Sequence, residues 1–298
     1  MLFRSLIFVP GNNKRFVEKA KALKADILCF DLEDSVPVNE KRTARELIIQ
    51  ALAQRTQYKS SFYVRINSLV SGLVLLDLSA VVKKGIDGIV VPKVNDANDI
   101  EDLDYQVSII EREQNIIKDS IKLIPSIESA KGVVNAYSIA KSSQRVSAVV
   151  FGIFDFLHDM GMDYAESDSL DQYAYARAKV PVDARAAGVE SIDGIWQKVD
   201  DIEGLTKDAT VAKRLGYSGK SIIHPTHIDP VHMVFVPTKA QIIWATKVVE
   251  VLEGAIERGD GEGAVKLEGK MIDAVHYKQA KAILNSITSK TEEATEHI

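Results

Sequence analysis

Asp31, Glu33 and Asp34 place three carboxylates within four residues, directly after the apolar run that ends in Leu28, Cys29 and Phe30. Like charges this close repel, and burying them is costly unless a cation or a set of donors meets them. The cluster therefore calls for a positive partner. Other polar residues end other short apolar runs: Arg65 with Asn67, Lys93, Ser126 with Glu128, Asp155, Asp193 and His224-Pro225. Glu128 and Asp155 form a carboxylate pair that suits Mg²⁺ or Mn²⁺, hard ions that keep positions open for water and substrate oxygens. Zinc is not indicated, because His158, His224, His227, His232, His276 and His297 lack an HxxxH spacing or a Cys partner. There is no P-loop and no GxGxxG, which argues against nucleotide hydrolysis and a dinucleotide dehydrogenase.

Those residues need elements to bring them together. Short β-rich runs alternate with stretches of helical period, the pattern of parallel βαβ units. Strands are expected near Leu6–Pro10, Asp26–Glu33, Ser61–Asn67, Gly88–Lys93, Lys122–Glu128, Ala148–Asp155, Ser191–Trp196 and Lys220–Pro225. Helical patterns include NKRFVEKAKAL, EKRTARELIIQALA, ANDIEDLDYQVSIIEREQ, SAKGVVNAYSIAKSS, DDIEGLTKDATVAKRLG and TKAQIIWATKVVEVLEGAIERG. The repeat predicts an α/β TIM (β/α)8 barrel over 1–258, with a doubly wound sheet as the alternative. After it, GDGEGAV reads as a hinge leading into a last amphipathic helix, MIDAVHYKQAKAILNSI, so 259–298 forms a C-terminal segment. The tail from Thr288 to Ile298 is polar and expected to fray. In such a barrel the C-terminal strand ends form the open mouth, where the polar residues above would gather.

Composition narrows the class of protein. A chain of 298 residues can bury a large core without staples, and its single cysteine, Cys29, cannot form an internal disulfide. Cys29 reads as a small buried hydrophobe. Net charge is −5 with the basic residues dispersed, which argues against a nucleic-acid surface and leaves room for a local basic patch facing a phosphorylated ligand. No stretch approaches a membrane span, and the first ten residues are too short for a secretory signal, so a soluble cytoplasmic protein is expected.

Read in order, the motifs resemble the citrate lyase beta-subunit-like proteins of the HpcH/HpaI-type aldolases. The match runs from Arg4, Ser5, Pro10 and Gly11 through DLEDSV, VRIN, GIVVPK, IPSIESAKG, Phe151-Gly152 with Asp155, AAGV-x3-DG, GYSGKSIIHP and GKMID. The resemblance implies a pyruvate-kinase-like barrel, Mg²⁺ on Glu128 and Asp155, and carbon–carbon lyase chemistry on β-hydroxyacyl thioesters. It also implies homotrimers or hexamers in which the C-terminal segment reaches a neighbouring barrel, so that Asp273 completes the next subunit's site. The chain departs from the family pattern at His227, where Gln is frequent, and at Val275, where Pro is frequent.

The chemistry can be followed on these residues. Cleaving malyl-CoA or citramalyl-CoA into acetyl-CoA and a 2-ketoacid removes a hydroxyl proton while an enolate forms. A hydroxyl of pKa about 16 facing a carboxylate of about 4 is uphill by roughly 12 units, or about 16 kcal/mol, so a base alone cannot manage it. Chelation by a divalent ion on Glu128 and Asp155 supplies much of the difference. Arg65 is assigned to the enolate, as a planar cation that keeps its proton. Asp273 is assigned the proton transfer, while Glu33, Asp34 and Asn67 position Arg65, metal-bound water or substrate, and Asp31 is a structural partner. Lys93 balances the acids and faces substrate. Arg4, Asn13, Lys14 and Lys19, around the first strand–helix junction, are expected to meet the phosphates of CoA.

Four rivals stand beside this reading. One is the lyase component of a citrate lyase complex, acting on a citryl thioester of an acyl carrier protein. Another is a class II aldolase of free hydroxy-ketoacids. A Schiff base on Lys93 or Lys220 is disfavoured because the metal carboxylates would then have no role. The last is a thioesterase-like or noncatalytic CoA-binding protein. Among the lyase readings the acyl group turns on the pocket wall, where one methyl is worth about 1–3 kcal/mol.

Overall fold

The computed structural model describes residues 3–162, 173–257 and 264–295. The chain forms two compact units, Met1–Phe235 and Val236–Ile298. In the first, β1 (Ser5–Pro10), β2 (Ile27–Asp31), β3 (Ser61–Arg65), β4 (Gly88–Val91), β5 (Lys122–Ile127), β6 (Ala148–Phe151), β7 (Glu190–Asp193) and β8 (Gly219–Ile222) close a parallel barrel in chain order. The ring closes where Ser5 and Leu6 of β1 pair with Lys220 and Ser221 of β8. Its helices are α1 (Lys14–Ala20), α2 (Lys41–Leu52), α3 (Val74–Val81), α4 (Ala97–Glu113), α5 (Ala130–Val134), α6 (Ala136–Lys141), α7 (Ile153–Asp159), α8 (Ala174–Ala187), α9 (Ile202–Leu215) and α10 (Ile228–Phe235). The TIM-barrel expectation is borne out.

The strands end earlier than their apolar runs promised. Asp155 accordingly lies not on a strand but in the first turn of α7. The sequence reading passed over α8, whose interior Pro181 breaks the usual helical signature yet is buried.

Alternation along the strands separates two apolar layers. Leu6, Ile27, Cys29, Tyr63, Val90, Ile124, Ala148, Val150 and Ile192 fill the inside of the barrel. Their neighbours Ile7, Leu28, Phe30, Phe62, Val64, Ile89, Leu123 and Val149 face the helices. Side chains on a strand alternate faces, so the inward set continues upward into Asp31, Arg65, Ser126 and Ser221, and past the ends of β5 and β6 to Glu128 and Gly152. Cys29 is fully buried in the inner layer, with its thiol pKa raised by that burial.

The opposite parity explains Asp193 and Lys220, which pair across β7 and β8 and turn outward. Lys220 Nζ contacts Asp193 (2.7 Å), Asp208 of α9 (2.5 Å) and the Gly194 carbonyl (2.6 Å). Arg177 of α8 meets the same two carboxylates at 2.6 and 2.8 Å. All four residues are buried. Asp193 is therefore a buried helix-to-barrel tie and not a rim residue, and a lysine enclosed in this way is not an amine nucleophile.

The second unit contains α11 (Lys239–Glu257), β9 (Ala264–Leu267), β10 (Lys270–Asp273) and α12 (Ala274–Thr295). The sequence reading counted α11 with the barrel, but it shares a core with this unit through Ala245, Val248, Val249, Leu252, Ile272 and Ala280. Met271, Ile272 and Asp273 open no helix; they form β10, paired with β9. The hairpin turns on Glu268 and Gly269, both at positive φ (49° and 83°), the two-residue turn that suits strand twist. Of the predicted hinge, Gly259 to Gly263 lies outside the described residues, and Ala264 and Val265 belong to β9. Of the tail expected to fray, Thr288 to Thr295 is helical and 296–298 lies outside the described residues. No helix among the described residues is long and apolar enough to cross a membrane.

Replacing Lys220 by Met would leave two buried carboxylates sharing Arg177 alone. Breaking a buried network by removing one partner costs about 3–5 kcal/mol, so the urea midpoint should fall markedly. A midpoint within error of the unsubstituted protein would show that the tie is dispensable.

Candidate active site

Asp31 and Arg65 are paired in register on adjacent strands. Arg65 Nε and Nη2 donate to the two Asp31 carboxylate oxygens, both at 2.7 Å, and Nη1 lies 3.2 Å from Glu33 Oε2. The guanidinium also sits over the Phe8 ring at 4.7 Å. Burial alone would raise the pKa of Asp31; Arg65, the Ser35 hydroxyl and the Glu33 backbone N–H reverse this and hold it below the usual range. The positive partner of the acidic run is thus Arg65, joined by Lys93, whose Nζ lies 2.8 Å from Glu33 and 3.4 Å from Asp34. Burial raises the Glu33 carboxyl despite both cations. Asp34 remains half exposed.

Glu128 follows β5 and is buried, and its Oε1 accepts the Lys93 backbone N–H at 2.5 Å. Lys93 is left-handed, with φ 55°, which turns that N–H toward the carboxylate. Asp155 stands on the first turn of α7, with Lys93 Nζ 3.8 Å away. Gly152 makes room for Glu128, since a Cβ there would lie 2.6 Å from Glu128 Cβ and collide with Oε2. Burial, then the charges of Asp155 and Glu33, push the Glu128 carboxyl up to about 8.

Asp31, Glu33, Asp34, Glu128 and Asp155 outnumber Arg65 and Lys93, an excess of negative charge that a divalent cation would relieve. Among the described residues no three acidic, His or Cys side chains converge as a full ligand set. An ion held by Glu128 and Asp155 would thus keep positions for water and substrate, which is the habit of Mg²⁺. The two carboxylates and Arg65 line one cavity of about 80 Å³, walled by Phe8, Val150, Ile153 and Ile195.

Other expected site residues fall elsewhere. Arg4 precedes β1, at the barrel end opposite the mouth, where it pairs with Asp26 at 2.6 Å; it cannot meet a ligand at the rim. Asn67 is buried and donates through N and Nδ2 to Asp77 (2.8 and 2.7 Å), so it clamps the loop after β3. Asn13 caps α1 by accepting the Phe16 N–H, so its side chain is engaged and the helix start is satisfied. Lys14 opens α1 on the mouth side and is exposed, whereas Lys19 lies in the last turn, away from the mouth. His224 caps the turn after β8 through Thr226. Asp273 closes β10 in the second unit, where its carboxylate accepts from Val275 N–H (3.0 Å) and contacts His276 Nδ1 at 2.7 Å. The His276 contact lowers its pKa.

Sequence reasoning missed Lys41, whose ammonium holds the carbonyls of Leu32 and Glu33 at 2.6 and 2.7 Å. It also missed Phe8 and Ser221, and gave Gly152 no role beyond its place in a motif. Strand parity could have found Phe8 and Ser221, whereas Lys41 lies in a helix pattern rich in surface charge.

The chain is similar to known proteins along its length. Residues 4–225 match the model for the HpcH/HpaI aldolase/citrate lyase family. The citrate lyase subunit beta of Haemophilus influenzae is 35% identical, covering 97% of this chain and 98% of that protein. The mitochondrial citramalyl-CoA lyase of Rattus norvegicus is 31% identical, over 96% of this chain and 86% of that one. The crystal structure of CitE from Mycobacterium tuberculosis shares the fold, with a TM-score of 0.75 at 23% identity, covering 95% and 97% of the two chains.

Gly152→Ala tests the packing of the carboxylate pair. Its backbone, at φ −94°, tolerates alanine, so the effect is steric. Overpacking of this kind costs about 1–3 kcal/mol, to be met by moving Glu128. Divalent-ion affinity measured by calorimetry should fall at least tenfold while the fold persists by circular dichroism; unchanged affinity would remove Gly152 from the site.

Proposed function

The chain belongs to the HpcH/HpaI aldolase/citrate lyase family, and from that premise we propose that it is a Mg²⁺-dependent carbon–carbon lyase that splits a β-hydroxyacyl thioester into an acetyl thioester and a 2-ketoacid. The observation that supports it most is the single cavity lined by Glu128, Asp155 and the Arg65 guanidinium. Malyl-CoA and citramalyl-CoA, which yield glyoxylate and pyruvate with acetyl-CoA, are substrates of this type. The CitE protein of the same fold forms a complex with magnesium, acetoacetate and coenzyme A, and Glu128 and Asp155 would hold such an ion here. When bound, Mg²⁺ supplies Lewis-acid polarisation that lowers the pKa of a ligating hydroxyl.

The chain's own residues do the rest. Asp31 takes two nitrogens of Arg65, which leaves Nη1 turned toward Glu33 and the cavity, where it meets charge developing on the thioester oxygen. Lys93 keeps Glu33 and Asp155 compensated and faces the substrate's carboxylate. Asp273 receives the hydroxyl proton, delivered from a neighbouring copy in a homotrimer or hexamer working in the cytoplasm. Lys14, at the mouth end of α1, faces the phosphates of CoA.

A second reading is favoured by the slightly higher identity to citrate lyase subunit beta, 35% against 31% for the citramalyl-CoA lyase. In it the same chemistry acts on a citryl thioester carried by an acyl carrier protein. Comparing free citryl-CoA with citryl carrier protein as substrates separates the two.

Two experiments test the chemistry. Malyl-, citramalyl- and citryl-CoA supplied with Mg²⁺ should release a ketoacid from at least one, with EDTA abolishing it, and Arg65→Lys should lower kcat by about 10²–10³-fold without unfolding the protein. Near-normal turnover by Arg65→Lys would take Arg65 out of the mechanism. For Asp273, Asp273→Asn and Glu128→Gln should each be inactive alone, and mixing them under subunit exchange should restore a measurable fraction of activity. No restoration from subunits shown to exchange would refute its action on a neighbouring copy.

A further inference from the structure

The Lys93 N–H meets Glu128 from a left-handed backbone, φ 55°, a conformation that strains a non-glycine residue and persists only where its surroundings hold it. One side chain stands behind it. Asn95 Nδ2 donates to the Lys93 carbonyl at 3.2 Å, while its Oδ1 accepts the hydroxyl of Ser129, the residue next to Glu128, at 2.7 Å. The same amide therefore grips both segments whose meeting forms the Lys93–Glu128 contact. Its own backbone is anchored as well, because the Asn95 N–H donates to Asp99 of α4 at 2.8 Å and its carbonyl accepts from Asn135 Nδ2 at 2.9 Å. Ser129 is held in turn by accepting the Gly132 N–H at 2.9 Å, the cap of α5. A Cβ on Gly132 would lie 2.8 Å from the Val94 carbonyl and 3.1 Å from Ser129 Oγ, so this glycine lets the two loops close on each other. Neither Asn95 nor Ser129 lines the cavity of Glu128, Asp155 and Arg65.

We propose that Asn95 is a positioning residue for the divalent cation: by holding the Lys93 backbone in its turn, it fixes the Glu128 carboxylate where that group binds the ion. The inference rests on the reading of Glu128 and Asp155 as the pair that holds Mg²⁺. A carboxylate on a rotatable side chain binds a metal well only if its orientation is set beforehand, and groups that set it from behind are worth about 10–100-fold in metal affinity. Glu128 has such a group in the Lys93 N–H, 2.5 Å from Oε1. That donor is only as fixed as the residue that carries it. Asn95 pins the peptide on one side of the Lys93 Cα, and Glu128 meets the peptide on the other. Without the Asn95 amide, Lys93 is free to relax toward negative φ, which turns its N–H away from Oε1. A tie between the two loops would need the Ser129 contact alone. The second contact, to Lys93 itself, is what connects Asn95 to the metal carboxylate.

The test is calorimetric binding of Mg²⁺ to the full-length protein, unsubstituted and with Asn95→Ala, beside hydrogen exchange of the Lys93 amide in the metal-free protein. Asn95→Ala should weaken Mg²⁺ about 10–100-fold and speed exchange of the Lys93 amide, with circular dichroism unchanged. Asn95→Leu, close to asparagine in volume but without an amide, should repeat both losses and keeps the test available if alanine unfolds the loops. Asn95→Gln, which keeps an amide donor and acceptor, should recover part of the affinity. A residue that served the fold alone would lower the urea midpoint and leave the affinity of the folded protein where it was. Unchanged Mg²⁺ affinity in the alanine or leucine variant, or a weaker affinity with Lys93 exchange unchanged, would overturn the positioning role and leave the metal pair standing. Failure of the unsubstituted protein to bind Mg²⁺ would overturn both.

Discussion

A guanidinium keeps its proton wherever a fold puts it, so Arg65 is a fixed charge at the top of a barrel whose interior below is apolar. Asp31 makes that placement tolerable. The two residues face one another in register, and the pairing below them, Cys29 with Tyr63, belongs to the inner layer. A slip of one residue between β2 and β3 would turn Asp31 outward and leave the cation without its bidentate partner. Ser35 and the Glu33 backbone N–H complete the coordination of Asp31 and thereby shape the loop that carries Glu33 and Asp34. Lys41 fixes the same loop from outside through two carbonyls. The acidic run is thus organised around one buried ion pair.

The second organising residue is Lys93. A left-handed backbone costs a non-glycine residue roughly 1–2 kcal/mol, and the contacts that hold it there are those of the site. Its backbone N–H restrains Glu128 while its ammonium lies among Glu33, Asp34 and Asp155. Glycine would adopt this backbone without strain but would carry no ammonium. The residue joins the β2 loop to the ends of β5 and β6, so the anionic groups share one compensating network, and burial with neighbouring charge still leaves the Glu128 carboxyl raised to about 8.

Much of this was legible in the sequence because β-strand parity and barrel topology are local and repetitive. Eight β-rich runs with polar ends, and the order of motifs from DLEDSV to GYSGKSIIHP, located Arg65, Lys93, Glu128 and Asp155 on one mouth. What failed did so for specific reasons. Asp193 and Arg4 look like Arg65 in sequence, a charge beside an apolar run. Parity turns Asp193 outward to Arg177 and Lys220, and chain direction puts Arg4 at the far end with Asp26. Pro181 concealed α8, and a glycine-containing turn at Glu268-Gly269 made a hairpin of a segment read as the start of a helix. Ser221 went unnoticed because one serine in GYSGKSIIHP carries no pattern of its own, although its alternation with the outward Lys220 puts it on the inner face of β8, opposite Leu6.

The barrel keeps charge handling and shape on different walls. Arg65, Lys93, Glu128 and Asp155 belong to β3 and to the segments after β4, β5 and β6, whereas Gly194, Ile195 and Ser221 form the wall of β7 and β8. The first group must stay mutually compensated, so a change at one member alters the protonation or position of the others. The second meets the cavity with Ile195 and a buried serine, while the Gly194 carbonyl accepts from Lys220. A difference of one methyl against such an apolar wall is worth about 1–3 kcal/mol in selection. Citrate lyase subunit beta and citramalyl-CoA lyase are each about a third identical to this chain. The cavity thus brings a buried ion pair and two carboxylates together with the apolar side chains that set its shape.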